Sequence, residues 1–260
     1  MANSGASALQ SSRSISKGFD VPPRDKMLDN LIEDLFFKGA EGQKLNQIYL
    51  KKVGSVYTNI LRYLGTQTDS PDNRDAVIFC DGSRFKRESP HSRWATDMTN
   101  GRKLRWRERQ CEKGSEKIAA AVTWLGTADD DTRRWPAQIQ LCDWFVEFLK
   151  QHEMIIGEDI RLKTKIGRKV IRKASQGKWL FNQIDVYNVL DKVLLHELTH
   201  TWMGGELDDV KVKKFGIIPR PAYGWARCKE LAKTGSLVDN YFEDAPDNNA
   251  ETVALFASGE

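Results

Sequence analysis

The pentapeptide His196-Glu197-Leu198-Thr199-His200 constrains this chain more than any other stretch. Two histidines at i and i+4 stand one turn apart when the segment is helical, so their imidazoles reach one common point. The flanking residues favour that helix over 185–202: Leu190, Leu194, Leu198 and Trp202 recur every fourth position, Asn182 is placed to cap the start, and Gly204-Gly205 to stop the end. The apolar stripe is expected to pack inward and to turn Val189, Val193, His196 and His200 toward a cleft. The chain has four histidines, and two of them lie in this pentapeptide, which favours a shared task over two unrelated surface side chains. His91 and His152 lack partners at ligand spacing.

Neutral imidazole is a natural ligand for zinc, which prefers four ligands and, in catalytic sites, takes three from the protein. His196 and His200 would supply two. Glu197, beside the first histidine, has the place of a general base that accepts a proton from a water activated at the metal. No third histidine follows, since the residues after His200 run Thr-Trp-Met-Gly-Gly-Glu. The third ligand then comes from the acids downstream, among them Glu206, Asp208, Asp209, Glu230, Asp239, Glu243, Asp244, Asp247 and Glu251. Glu243 or Glu251 would serve if the ligand sits on a second helix.

Composition excludes several other classes. With 260 residues, 40% hydrophobic and 29% charged, the chain suits one large domain or two lobes facing a cleft. A net charge of +4 is too small to imply a nucleic-acid partner, and the basic stretch Arg161–Lys178 reads as a solvated face. The four cysteines, Cys80, Cys111, Cys142 and Cys228, form no C-x-x-C pair, so a cysteine-based zinc site is not expected. They permit two disulfides, in any of three pairings. Residues 1–20 are polar and Ser-rich, which predicts a disordered tail without the apolar core of a signal peptide. No apolar run approaches the length of a membrane span.

Helical spacing over 25–38 (Met27, Leu28, Leu31, Ile32, Leu35, Phe36) predicts one N-terminal helix, and a second running to Leu64. Ala76–Cys80 reads as a short strand, and Ala137–Cys142 alternates like one. Residues 83–117 suit strands or long loops, Lys117–Leu125 a strand or short helix, and Asp143–Gln151 a helix or aromatic loop. Ile155–Lys178 stays ambiguous, with a basic hairpin as one reading.

Several downstream segments join the pentapeptide: Gly205-Glu206-Leu207-Asp208-Asp209-Val210, then Ala222-Tyr223-Gly224-Trp225, then Asn248-Asn249-Ala250-Glu251-Thr252 onward to Ala257. Together with the Cys142 strand and Trp144-Phe145, this pattern resembles the deuterolysin-like aspzincins, a family of metalloendopeptidases that includes lysine-specific members. The resemblance runs from about Ala137 to Ala257. It implies an α+β zincin-like fold over 21–260, in two lobes: a helical N-terminal part and a small sheet form one wall, the zinc helix and the C-terminal segment the other. It implies zinc as cofactor, His196, His200 and Asp209 as ligands (Asp208 being the close alternative), Glu197 as base and Tyr223 as oxyanion donor. Glu251 would stand where the family has an acid that favours Lys or Arg after the scissile bond. The substrate would be a protein or peptide, the protein a monomer, and the location extracellular, although the chain carries no evident export signal. Two departures stand out. Arg220 occupies the position, three before the tyrosine, where the family has its aspartate, and Val210–Pro221 reads as an inserted basic loop. These motivate a rival reading, a catalytically inactive protein of the same fold that binds an acidic partner. A metal-dependent hydrolase of non-peptide substrates is a second rival.

Overall fold

The computed structural model describes residues 26–36, 47–63, 72, 74–89, 92, 94–99, 101, 103–105, 111, 119–127, 134–151, 189–212, 220–234 and 245–258. The N-terminal 1–20, the basic stretch 161–178 and Asn182 lie outside them. The architecture is α+β, and the described residues fall into two compact units, 72–151 and 26–63 with 189–258.

The 72–151 unit is built on strands. β1 (Ala76–Phe79) pairs parallel with β6 (Arg134–Leu141), which pairs antiparallel with β5 (Ala121–Thr127). Of the stretch 117–125, residues 121–125 lie in a strand. β2 (Phe85–Arg87), β3 (Trp94–Asp97) and β4 (Lys103–Arg105) form a separate antiparallel sheet. α1 of this unit's C-terminal end, Asp143–Gln151, is helical and buries Phe145 and Leu149. Cys142, at its start, is disulfide-bonded to Cys111, leaving an exposed thiol at Cys80 and a buried one at Cys228.

The alternation in β6 does not divide a dry face from a wet one. Gln138 and Gln140 are buried along with Ala137 and Ile139. Gln138 Nε2 donates to Asp97 Oδ2 at 3.0 Å, and Gln140 Oε1 accepts from the Arg84 guanidinium. Arg84 also pairs with Asp97 at 3.2 Å and lies 3.4 Å from the Phe79 ring centroid and 3.9 Å from that of Phe85. A buried guanidinium needs this combination of a counter-charge, acceptors and aromatic faces to offset its lost hydration.

The other unit is helical. α2 (Lys26–Phe36) and α3 (Gln47–Ile60) bury Leu31, Ile32, Leu35 and Phe36 from the first and Leu50, Val53, Val56, Tyr57 and Ile60 from the second. Both share one core with α4 (Val189–Thr199) and α6 (Ala250–Ser258), to which α5 (Trp225–Thr234) adds Cys228. The expected grouping of the N-terminal helices with the sheet is thus replaced by their packing on the histidine-bearing helix and the C-terminal helix. The reason is α6, buried along its whole length from Ala250 to Ser258. A helix buried on every side needs neighbours on every side, and the N-terminal helices supply part of them. Phe256 meets Phe36 edge-on at 5.2 Å and stacks with Tyr57 at 6.5 Å, while the Tyr57 hydroxyl donates to the Val253 carbonyl at 2.6 Å. Each such large side chain contributes roughly 1.5–3 kcal/mol on burial. Among the described residues no helix is long and apolar enough to cross a membrane.

The packed face of α4 differs from the expected Leu190–Leu194–Leu198–Trp202 stripe, whose members are all half-buried. Its most enclosed residues are Lys192, Leu195, His196, Glu197 and Thr199. Polar groups take the inner face because they find partners there, as described next. The helix stops where Gly204 crosses its end: a Cβ at this position would lie 1.9 Å from the Leu198 carbonyl oxygen, so only glycine fits. Gly205 and Glu206 then take positive φ of 93° and 55°, reversing the chain toward Asp209.

Candidate metal centre

α4 brings His196 and His200 together, with their Nε2 atoms 3.2 Å apart. Asp209 arrives from the turn that follows. Its Oδ1 lies 3.3 Å from His196 Nε2 and 3.6 Å from His200 Nε2. Among the described residues this is the group of His, Cys, Asp and Glu able to hold a metal ion. Asp208, the close alternative, is exposed and serves the backbone. Its N–H donates to the Asn248 carbonyl and its carbonyl accepts from the Ala250 N–H, both at 2.9 Å.

The hydrogen bonds around the cluster set the tautomers. His200 Nδ1 faces the Leu207 carbonyl at 2.5 Å, and a carbonyl oxygen only accepts, so Nδ1 carries the proton and Nε2 the lone pair. His196 Nδ1 makes no hydrogen bond, but the acceptor it faces is Glu251 Oε2 at an ion-pair distance of 3.2 Å, and an acceptor on that side favours the same arrangement. Asp209 Oδ1 is buried with no hydrogen-bond donor among the described residues. With both histidines neutral, three acceptor atoms converge, a set that a cation or a proton would stabilise. Three ligand atoms each about 2.0–2.1 Å from one zinc ion in a tetrahedron lie about 3.3–3.4 Å apart. The separations of 3.2, 3.3 and 3.6 Å match that spacing.

Charge tells the same story. Burial pulls the His196 pKa down, yet the carboxylates of Asp209 and Glu251 outweigh it and hold the pKa up at about 10. In the metal-free chain a proton on His196 thus takes the cation's place. Burial raises the Asp209 carboxyl, but the two histidines more than reverse this and keep it far below the usual carboxylate range.

Glu197, next to His196, is buried, and its charge acts on both His196 and Tyr223. The Tyr223 ring is 5.8 Å from that of His196, and its hydroxyl donates to Asp209 Oδ2 at 2.5 Å. Burial, then the Asp209 charge, pushes the phenol far above its ordinary pKa, so it stays a neutral donor. The residues between Asp209 and Tyr223, read above as an inserted loop, leave and return side by side. β7 (Lys211–Val212) pairs antiparallel with β8 (Arg220–Pro221), and the Ala222 N–H donates to the Val210 carbonyl at 2.7 Å. Arg220 sits exposed on β8, opposite Val212, and is not one of the cluster's three residues.

Glu251 is placed differently from the exposed acid that a basic substrate side chain would need. It is 6% exposed. Its Oε1 accepts from Lys192 Nζ at 3.0 Å and from the Gly224 N–H at 3.2 Å, and its Oε2 faces His196. Burial raises its pKa, but Lys192 and His196 bring it down to about 2.

Two residues were not singled out by sequence reasoning. Lys192 stands four before His196, and a lysine on the histidine face of a largely apolar helix was the available signal. Asn249, fully buried, accepts from the Val210 N–H at 3.1 Å and donates to the Ala222 carbonyl at 3.2 Å and to Thr252 Oγ1 at 2.8 Å. It ties the base of the hairpin to α6. No protein-family model, curated protein or solved structure matches this chain.

Proposed function

We propose that this chain is a zinc-dependent metalloendopeptidase with a zincin-like fold, hydrolysing peptide bonds in protein or peptide substrates. The observation that carries the reading is the convergence of His196 Nε2, His200 Nε2 and Asp209 Oδ1 at tetrahedral-edge distances, next to Glu197. His196, His200 and Asp209 would hold the zinc ion, which would supply Lewis acidity toward a scissile carbonyl and a water molecule. Glu197 accepts the attacking water's proton and passes it to the leaving amine. Tyr223, neutral at all working pH values, turns its hydroxyl from Asp209 to the oxyanion that develops on the carbonyl, a contact whose value is greatest in the transition state. Glu251 has both oxygens engaged by internal partners, so this reading carries no preference for Lys or Arg after the cut.

The test is zinc content of the dialysed protein with cleavage of a mixed peptide library. About one zinc per chain is expected, lost in His200→Ala. Glu197→Gln keeps the zinc and loses cleavage. A protein that takes up no zinc, or a Glu197→Gln variant that still cleaves at the wild-type rate, overturns the proposal. Zinc uptake without cleavage of any peptide points instead to a non-peptide substrate.

A further inference from the structure

Lys192 and Glu251 lie 59 residues apart in the chain and meet in the interior, each 6% exposed. A buried ion pair generally gains less from attraction than it loses in hydration, and apolar residues of similar volume fill such a place at lower cost. What distinguishes this pair is its neighbour. Glu251 Oε1 takes two donors, Lys192 Nζ and the Gly224 N–H, and this anchors the carboxylate from the side away from the histidine. Oε2 lies 3.2 Å from His196 Nδ1, at ion-pair distance and a small turn of the ring short of a hydrogen bond. Facing a carboxylate oxygen, Nδ1 keeps its hydrogen, and Nε2 keeps its lone pair for a ligand.

We propose that Lys192 and Glu251 are positioning residues that lock His196 in the Nδ1–H form with Nε2 aimed at the cation. Glu251 sets the ring, and Lys192 is the internal counterion that fixes Glu251. The inference rests on the metal-binding half of the reading above and not on peptide hydrolysis. Glu251→Gln is close to isosteric yet fails in either orientation. Its NH2 meets either the Nδ1–H of His196 or the donors Lys192 and Gly224.

The test uses zinc alone, titrated into the full chain against a chromophoric chelator. Glu251→Gln is expected to weaken zinc binding by about 10–100-fold, the usual effect of losing a partner behind a metal-bound histidine. Lys192→Met weakens it as well, while Lys192→Arg restores wild-type affinity, which a role in simple space-filling does not predict. A second measurement needs no substitution. Nitrogen NMR of histidine-labelled, zinc-loaded wild-type protein is expected to show His196 protonated at Nδ1 and metal-bound at Nε2. The opposite tautomer, or a Glu251→Gln affinity equal to wild type, overturns this inference alone. Failure of the wild-type protein to bind zinc overturns the metal reading itself.

Discussion

Asn249→Ala probes how the candidate metal centre is assembled. Asn249 touches no ligand atom, yet its amide spans the two chain segments that present Asp209 and Tyr223. Its Oδ1 accepts from the Val210 N–H, adjacent to Asp209, and its Nδ2 donates to the Ala222 carbonyl, adjacent to Tyr223, and to Thr252 on α6. Truncation leaves the buried Val210 N–H without that acceptor, at about 1–3 kcal/mol, and forfeits two further bonds worth about 1 kcal/mol each at most. The Ala222 carbonyl is spared the full penalty because it also accepts from Cys228 Sγ at 3.0 Å. The sum, roughly 2–4 kcal/mol, corresponds to a fall in melting temperature of about 5–15 °C for a domain of this size. Thermal unfolding followed by circular dichroism in excess chelator measures it. Zinc affinity, measured separately, should fall too, because Asp209 loses the anchor on its neighbour. Asn249→Asp keeps the acceptor but turns a carboxylate oxygen on the Ala222 carbonyl in a site with no exposure, and should melt lower still at neutral pH. A melting temperature unchanged in Asn249→Ala, or a lowered one with zinc affinity intact, refutes the reasoning.

On the proposed reading, the protonated His196 would have to lose its proton to bind zinc. With a folded pKa of about 10 against an ordinary 6.5, its stabilising contribution is full below the ordinary value and is lost as pH rises toward the folded one. Calorimetric zinc titration at near-neutral pH, in two buffers of different ionisation enthalpy, should report release of about one proton. Glu251 shows the opposite sign: with a folded pKa of about 2 against 4.5, its contribution holds above the ordinary value and disappears as pH falls through the range between them, so acid unfolding of Glu251→Gln should be flatter there. Burial raises the pKa of Asp247, which is 2% exposed; Asp247→Asn should therefore raise the melting temperature at neutral pH and leave it unchanged in strong acid. Reducing the Cys111–Cys142 disulfide, which closes a separation of 31 residues, should cost the fold about 3–4 kcal/mol, read as a lower unfolding midpoint with reductant present.

The parts of this site that could be read from sequence are those that depend on local spacing. His196 and His200 converge because one helical turn separates them, and Glu197 follows by adjacency. The helices over 26–36 and 47–60 were visible in their apolar period for the same reason. Asp209 was accessible only through resemblance, since nothing local distinguishes it from Asp208; the structure separates them by leaving Asp208 exposed and burying Asp209 Oδ1 against the two histidines. The inner face of α4 was misassigned because its stripe of leucines was weighed without the partner that rewards burying Lys192, and Glu251 lies far along the chain. The burial of Gln138 and Gln140 could not be read from the alternation over 137–142, because Asp97 and Arg84, which bond Gln138 Nε2 and Gln140 Oε1, come from another part of the sequence. Tertiary pairing of polar groups overrides period whenever it removes the cost of burial.

The β7–β8 pairing has a consequence for kinship. Because its two strands pair at Lys211 opposite Pro221 and Val212 opposite Arg220, it is the ladder, and not the number of residues joining its strands, that brings Asp209 and Tyr223 together. A related chain with the same ladder would be free to carry a different number of residues between its strands while its aspartate and tyrosine kept their hydrogen bond. Counting residues between ligand and tyrosine would then separate proteins that the ladder joins. A signature written as a strand-paired ligand and phenol, with any number of residues between, describes such a lineage better than one written as a fixed interval.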